Sequence, residues 1–473
     1  MREMSRRSKI FALAVMVLFL SSPLYMDYML GSHALGIYFL DTPGLRGPFL
    51  KLPALFMKMG VSVQGSCKLY LILMNFAACV SSFWCFAKLS GGFQAGLLGS
   101  ICYVFSIYSI SIRYLSCSFG ETAAFAVLPL VLYGYVAGKQ KRAEEKQENA
   151  VKRQRNEKEF WNADRIKGIL ILTAGLTMVC WASIPIAIVT ISVLFAAELV
   201  CLVATFCKKR WKEGAERLVG VLAAMVLSLL LSAKLWKEWF AAAARGVKAV
   251  ADGKSFAGRG LELTELLQVF IGKISEGDTK INLNFVSMGL PFLIVLAAWA
   301  VIRLMGFQIE EKRRQLLDGA CVAALCLMCL SLRIFPWEWI SSLSGTGRMV
   351  LEQIAYPHRF LLPAVLLLSL VASLLAAEGM KQTDPNARNG KASGLSSGNM
   401  EESGQNVKNL EKEVGGAVWK HLAGILLGVV IFTNVLSGVY LMDNLLYTTP
   451  IDHGYEVTDP AFQEGDYYLY QCR

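Results

Sequence analysis

Residues 357–377 read PHRFLLPAVLLLSLVASLLAA. From Phe360 onward the run carries no charged side chain. At about 1.5 Å of rise per helical residue it is long enough to cross a hydrocarbon core roughly 30 Å thick. A stretch so uniformly apolar offers no polar face to water, and it reads as a membrane span. The pattern recurs outward in both directions. On the N-terminal side spans are expected over Ile10–Tyr25, Cys67–Ala87, Ala95–Ile112, Glu121–Ala137, Gly168–Ser183, Ile186–Phe206, Leu218–Leu235, Phe285–Ile302 and Leu317–Leu332; on the C-terminal side one follows over Trp419–Met442. The expected fold is therefore all-α, a polytopic transmembrane helix bundle of about 11 spans.

Composition agrees, because 55% of residues are hydrophobic and only 18% charged, a balance that suits lipid better than water as the surrounding solvent. The net charge of +11 does not indicate nucleic acid. Lys and Arg sit in short segments between apolar runs, not on a basic face interleaved with aromatics, and that distribution is a topology signal. Alternation through the spans assigns to the cytoplasm the N-terminus, Lys88, the Lys139–Lys167 loop, Lys208–Arg217, Arg303–Arg314 and Lys381–Lys412. Almost every dense basic cluster falls in this set. The 139–167 loop alone holds ten Lys/Arg against six Asp/Glu, a net of +4. The expectation is a multi-pass membrane protein with its N-terminus in the cytoplasm and its C-terminus outside. The first run follows Arg6, Arg7 and Lys9 as a signal peptide would, but Met26-Asp27-Tyr28 provides no small-residue cleavage site, so it reads as a retained span.

The whole chain, 1–473, reads as one integral membrane domain. A basic cytoplasmic loop over 138–167, an extracytoplasmic loop over 236–284 and a disordered cytoplasmic linker over 380–418 complete the organisation. The linker is rich in Gly, Ser, Asn, Lys and Glu and nearly free of large apolar residues. Aromatic groups at Trp236, Trp239 and Phe240 and at Phe335, Trp337 and Trp339 mark headgroup level. No fixed-period repeat is visible.

Ionisable residues near a membrane are the candidates for chemistry, because an unpaired charge there is costly. Arg113 and Glu121 flank a very short outer turn, where they serve a substrate or simply close the turn as an ion pair. Asp27 follows the first span, with His33 and Asp41 in the same outer loop. A carboxylate there suits a general base, or holds a divalent cation against a phosphate; its bland reading is a solvated loop acid. Arg359 begins the tenth span in Tyr356-Pro-His-Arg359-Phe360, where a guanidinium fits a phosphate by two parallel hydrogen bonds or snorkels as an anchor. Cys326 and Cys329 have redox-motif spacing but lie in an apolar run, so packing is expected. Gly92 and Gly96 form one small-xxx-small pair, suited to close helix packing. The four histidines have no metal-ligand spacing, and no zinc site is expected.

At these residues the chain resembles a known group. Gly47-Pro-Phe…Lys51-Leu-Pro-Ala-Leu-Phe-Met-Lys-Met-Gly60-Val-Ser, Tyr103…Ser106-Ile-Tyr108, and Arg113…Gly120-Glu121-Thr-Ala-Ala-Phe-Ala…Leu128-Pro129-Leu-Val-Leu-Tyr-Gly134 are similar to the YfhO-like, or 6-pyruvoyl-tetrahydropterin synthase-related, bacterial membrane proteins. Gln353-Ile-Ala-Tyr-Pro357-His-Arg359-Phe360 resembles that group's Gln-Phe-Pro-Trp-Arg-Phe element, with His358 in place of Trp. The resemblance implies a GT-C glycosyltransferase-like architecture using a polyprenyl-phosphate-linked sugar at the outer face. It implies Asp27 as the base or metal-binding acid, Arg113 and Arg359 as phosphate ligands, and Glu121 as the residue that orients Arg113. The first outer loop is shorter here than in the group and lacks its Asp-x-x-Phe-His-x-x-Arg-like element. Two other readings stand beside this one: a transporter of lipid-linked oligosaccharides or small molecules, and a noncatalytic shortened member. Charges gathered at one face favour the enzyme, and charges at mid-depth favour the transporter.

Overall fold

The computed structural model describes residues 6–25, 47–61, 63–115, 118–149, 163–209, 211–245, 255–268, 286–304, 309–381, 428–429 and 432. Asp27, His33, Asp41 and nearly all of the expected Trp419–Met442 span and of the 380–418 linker lie outside them. Among the described residues no β-ladder forms, and one isolated parallel bridge joins Leu261 to Leu332. Helices make up the regular structure. In chain order they are α1 (Arg6–Ser21), α2 (Lys51–Lys58), α3 (Val63–Ser90), α4 (Phe93–Val104), α5 (Ile107–Ile110), α6 (Phe119–Asn149), α7 (Ala163–Ala182), α8 (Ile184–Cys207) and α9 (Trp211–Leu231). Then come α10 (Ala233–Ala244), α11 (Leu263–Leu267), α12 (Leu290–Leu304), α13 (Glu311–Ser331), α14 (Trp337–Leu343), α15 (Gly345–Ile354) and α16 (Leu361–Lys381).

The protein is an α-helical, multi-pass membrane protein by the length and apolarity of its helices. Among the described residues six are long enough to cross a bilayer: Gly65–Ser90, Phe119–Ala137, Ile184–Cys207, Gly214–Leu231, Glu311–Ser331 and Pro357–Gly379. A seventh span is a bent pair, α4 and the segment Ile107–Tyr114, which meet at 53°. Ile166–Ala182 and Leu290–Leu304 are apolar but shorter.

The bend corrects the expectation of one continuous helix over Ala95–Ile112. Residues 105–112 read FSIYSISI, alternating serines that compete for backbone hydrogen bonds with β-branched isoleucines that crowd a helical turn. The first helix ends at Val104, and Ser106 caps the next, its hydroxyl accepting from Ser109 N at 3.2 Å. At the other extreme, α6 runs past its apolar part to Asn149, into the segment expected as a loop from 138. Its extension, KQKRAEEKQEN, is built of strong helix formers. The expected loop over 236–284 likewise contains the end of α10, the turn Ala257–Arg259 and α11.

The most apolar runs have opposite fates. In the span Pro357–Gly379, 94% of the residues in its most apolar stretch are buried, against 33% in Ile184–Cys207 and 28% in Gly214–Leu231. Around α16 pack α3, α4, α12 and α13. Small residues permit that approach, since a Cβ on Gly99 of α4 would sit 2.8 Å from Ser373 Cβ of α16. α6 and α7 also approach closely, since a Cβ on Gly134 would fall 2.6 Å from Leu172 N. Gly96 does press on Ala87, whereas Gly92 meets little. Cys79, Cys85, Cys102, Cys180 and Cys321 pack in the interior, but Cys326 and Cys329 face outward from α13, so they do not pack in the core as expected.

Polar stitches tie the helices where hydrocarbon offers no alternative partner. Asn75 Nδ2 donates to Ser21 Oγ and to Tyr114 Oη, both at 3.0 Å, and the Tyr114 hydroxyl donates to Leu20 O at 2.5 Å. At the end of the bundle that holds Lys88, Arg313 pairs with Glu378 at 2.7 Å and Arg303 with Asp318 at 3.4 Å.

Candidate functional site

The candidate site lies at the end of the bundle opposite Lys88, where α6 begins and the chain turns into α16. Glu121 occupies the first turn of α6, a favourable place for a carboxylate beside the positive end of the helix dipole. Arg359 occupies the 3₁₀ turn Pro357–Phe360, which opens with proline and leads directly into α16. Although 238 positions apart in sequence, the two side chains meet. Arg359 Nε and Nη2 both reach Glu121 Oε1, at 2.7 and 2.6 Å. Arg359 is 1% and Glu121 3% exposed. A charge pair so enclosed must be closely matched, because each partner alone would be stranded without water.

The backbone before Arg359 is bent to suit it. Arg359 Nη1 donates to Ile354 O. Tyr356 N also donates to Ile354 O, at 2.8 Å, closing a three-residue turn centred on Ala355. Ala355 has φ 68° and ψ −50°, the strained form of the γ-turn, which costs an alanine on the order of 1–3 kcal/mol. Arg259 secures it from the side, Nη1 donating to Ala355 O at 3.2 Å. Aromatic rings fill the surroundings: the Tyr356 ring lies 5.6 Å from Arg359 Cζ and stacks on His358, and Phe360 stacks on Trp337. The Tyr108 hydroxyl, buried and without a hydrogen-bond partner among the described residues, feels the charges of Glu121 and Arg359.

Arg113 is placed differently from its expected role. Glu121 does not orient it, because the Glu121 carboxylate is engaged by Arg359. Arg113 instead turns back toward the break between α4 and α5. Its Nη1 donates to Val104 O at 3.2 Å, to Ser109 O at 3.3 Å and to Ser109 Oγ. The guanidinium carbon lies 4.7 Å from the centre of the Phe125 ring, a cation–π contact. Arg113 is fully buried, and its Nε and Nη2 have no hydrogen-bond partner among the described residues.

Of the four expected site residues the structure thus joins Glu121 to Arg359, sets Arg113 apart at the helix break, and does not describe Asp27. Among the described residues no group of three or more His, Cys, Asp or Glu gathers as metal ligands would.

One further buried pair escaped the sequence reading. Glu198 of α8 is 1% exposed and lies 3.5 Å from Arg217 Nη2 of α9, with Tyr135 of α6 beside it. The signal was present as the single acid inside the apolar run 186–206. No protein-family model matches the chain, and no curated protein matches it in sequence.

Proposed function

We propose that this chain is a GT-C-like membrane protein of the bacterial cytoplasmic membrane, with about 11 spans and its N-terminus inside. On this reading it handles polyprenyl-phosphate-linked sugars at the outer face, in cell-envelope glycan synthesis. The observation that supports the reading is the meeting of Glu121 with Arg359 across 238 positions. It brings a carboxylate and a guanidinium together at the end of the bundle that charge alternation assigns to the outside. The strained turn at Ala355 beside them adds to it, since strain of this kind concentrates at functional sites.

Chemically, the pair supplies what a lipid-phosphate sugar site needs. Arg359 matches a phosphate in charge and fork geometry, and a carboxylate suits proton abstraction from an acceptor hydroxyl. In this arrangement Glu121 holds the place on Arg359 that a phosphate would take, so donor binding exchanges one oxyanion for another. Asp27, on the segment after the first span, is the acid that the family resemblance nominates as base.

The test is native mass spectrometry of the protein in nanodiscs of bacterial lipid, followed by glycosyl-transfer assays. The expected result is a retained polyprenyl-phosphate sugar that is weakened in Arg359→Lys with the helical fold kept, and transfer abolished in Asp27→Asn. Wild-type samples that carry no lipid phosphate, or that carry it equally in Arg359→Lys, would overturn the reading.

A further inference from the structure

Residues 255–268 belong to the segment that charge alternation places outside, and three contacts press them onto the frame that carries Arg359. Leu261 forms the isolated bridge with Leu332: Leu261 N donates to Ser331 O at 3.0 Å, and Arg333 N donates to Leu261 O at 2.8 Å. Phe256 sets its ring edge-on to Trp337, with ring centres 5.1 Å apart, and Trp337 in turn stacks on Phe360, the neighbour of Arg359. Arg259 Nη1 donates to Ala355 O at 3.2 Å, across 96 positions of sequence. Gly260 permits this approach, since a Cβ there would lie 2.7 Å from Arg333 Cα.

The contacts converge on one weak point. The turn at Ala355 has a backbone form that an alanine keeps only where its surroundings hold it. The carbonyls on either side of its strained φ are gripped by different arginines: Ile354 O takes Arg359 Nη1, and Ala355 O takes Arg259 Nη1. The Tyr356 ring meets both guanidiniums, 6.0 Å from Arg259 Cζ and 5.6 Å from Arg359 Cζ. Relaxation of the turn toward negative φ would rotate the Ile354 carbonyl away from Arg359 and carry the backbone of Arg359 with it. A grip on Ala355 O is therefore a grip on the fork that Arg359 sets on Glu121. Arg359 and Glu121 are 1% and 3% exposed, so a ligand reaches them only after something around them moves.

We infer that Arg259 is a positioning residue and that residues 255–268 form a strap: by fixing the turn at Ala355 the strap keeps Arg359 closed on Glu121, and lifting it frees Arg359 for an incoming oxyanion. The closed hold stands on the contacts alone. The release rests on the functional reading above, in which an oxyanion takes the place of Glu121.

The experiment uses the full chain in nanodiscs with isotope-labelled arginine, and reads by NMR the Nε–H group of Arg359, identified by its absence in Arg359→Lys. Buried and bonded to Glu121, this proton should exchange slowly with water in the wild type. Arg259→Met should speed its exchange about tenfold or more, the factor that losing one hydrogen bond represents. Gly260→Ala leaves Arg259 in place but pushes the strap off Arg333, and it should act in the same direction. Arg259→Lys should stay near wild type, because an ammonium also donates to a carbonyl. The Arg113 Nε–H signal, identified in the same way, should stay fixed and so report an intact bundle. An Arg359 signal indifferent to both Arg259→Met and Gly260→Ala would overturn the inference, as would equal acceleration at Arg113, which is general loosening. Should Arg259→Met fail to assemble, Gly260→Ala decides alone. Glycosyl transfer does not enter the readout. A coupled signal in a chain that retains no lipid phosphate supports the positioning role and rejects the functional reading; an uncoupled signal in a chain that retains it does the reverse.

Discussion

Arg359 and Arg113 are both fully enclosed, both lie near a change of helix direction, and both rest against an aromatic ring. Arg359 has Glu121 on one edge and the Ile354 carbonyl on the third nitrogen, so its charge and all its nitrogens are matched from within the chain. Arg113 has backbone carbonyls and a serine on one nitrogen and no acid at its other edge among the described residues. The difference teaches that burial alone does not classify a membrane arginine. What distinguishes the two is where the matching comes from: Arg359 meets a carboxylate from a distant helix, whereas Arg113 meets only backbone carbonyls, a serine and a ring among the described residues.

The largest expected effect breaks the balanced pair. Arg359→Met strands Glu121 in the interior and should lower unfolding free energy by about 3–5 kcal/mol, and Arg359→Met combined with Glu121→Leu should recover most of that loss. Denaturation in a mild detergent measures both; a double variant as unstable as the single one would show that the pair is not the source of the stability. Arg113→Met should cost no more than about 2 kcal/mol in the same assay, because the lost carbonyl bonds are offset by removal of a buried charge that meets no acid among the described residues. A loss equal to that of Arg359→Met would erase the distinction between the two arginines. Ala355→Gly should stabilise by roughly 1 kcal/mol through relief of the positive φ, and a loss instead would mean that the turn before Arg359 is not strained. The smallest effect calibrates the rest: Arg348 is 70% exposed beside Glu352, and Arg348→Ala should change stability by less than about 0.5 kcal/mol.

Much of the architecture was legible in the sequence. The runs at Cys67–Ala87, Glu121–Ala137, Ile186–Phe206, Leu218–Leu235, Leu317–Leu332 and Pro357–Ala377 each coincide with a helix long and apolar enough to span. The break at Phe105–Ser106 was not seen, because average apolarity is blind to serines that redirect a few hydrogen bonds. Arg113, Glu121 and Arg359 stood out as charges near apolar runs, but their partners did not. Nearness in sequence suggested Arg113 with Glu121, eight positions apart; the fold chose Arg359, because α16 lies in the middle of the bundle and carries its N-terminal turn to the start of α6. Glu198 was passed over inside an apolar run, where its carboxylate is enclosed by α6, α8 and α9.

The sequence by itself determined that this chain is helical and membrane-embedded, since apolar run length and backbone hydrogen bonding leave few alternatives in a solvent that cannot pair with peptide groups. It did not determine that the span Pro357–Gly379 is central while Ile184–Cys207 lies outside, because lipid and protein interior are alike to an apolar side chain, and hydropathy cannot tell them apart. Nor did it determine which arginine is balanced. Coulombic pairing depends on distance in space, and only the tertiary structure brought Glu121 within 2.6 Å of Arg359 while leaving Arg113 to the helix break.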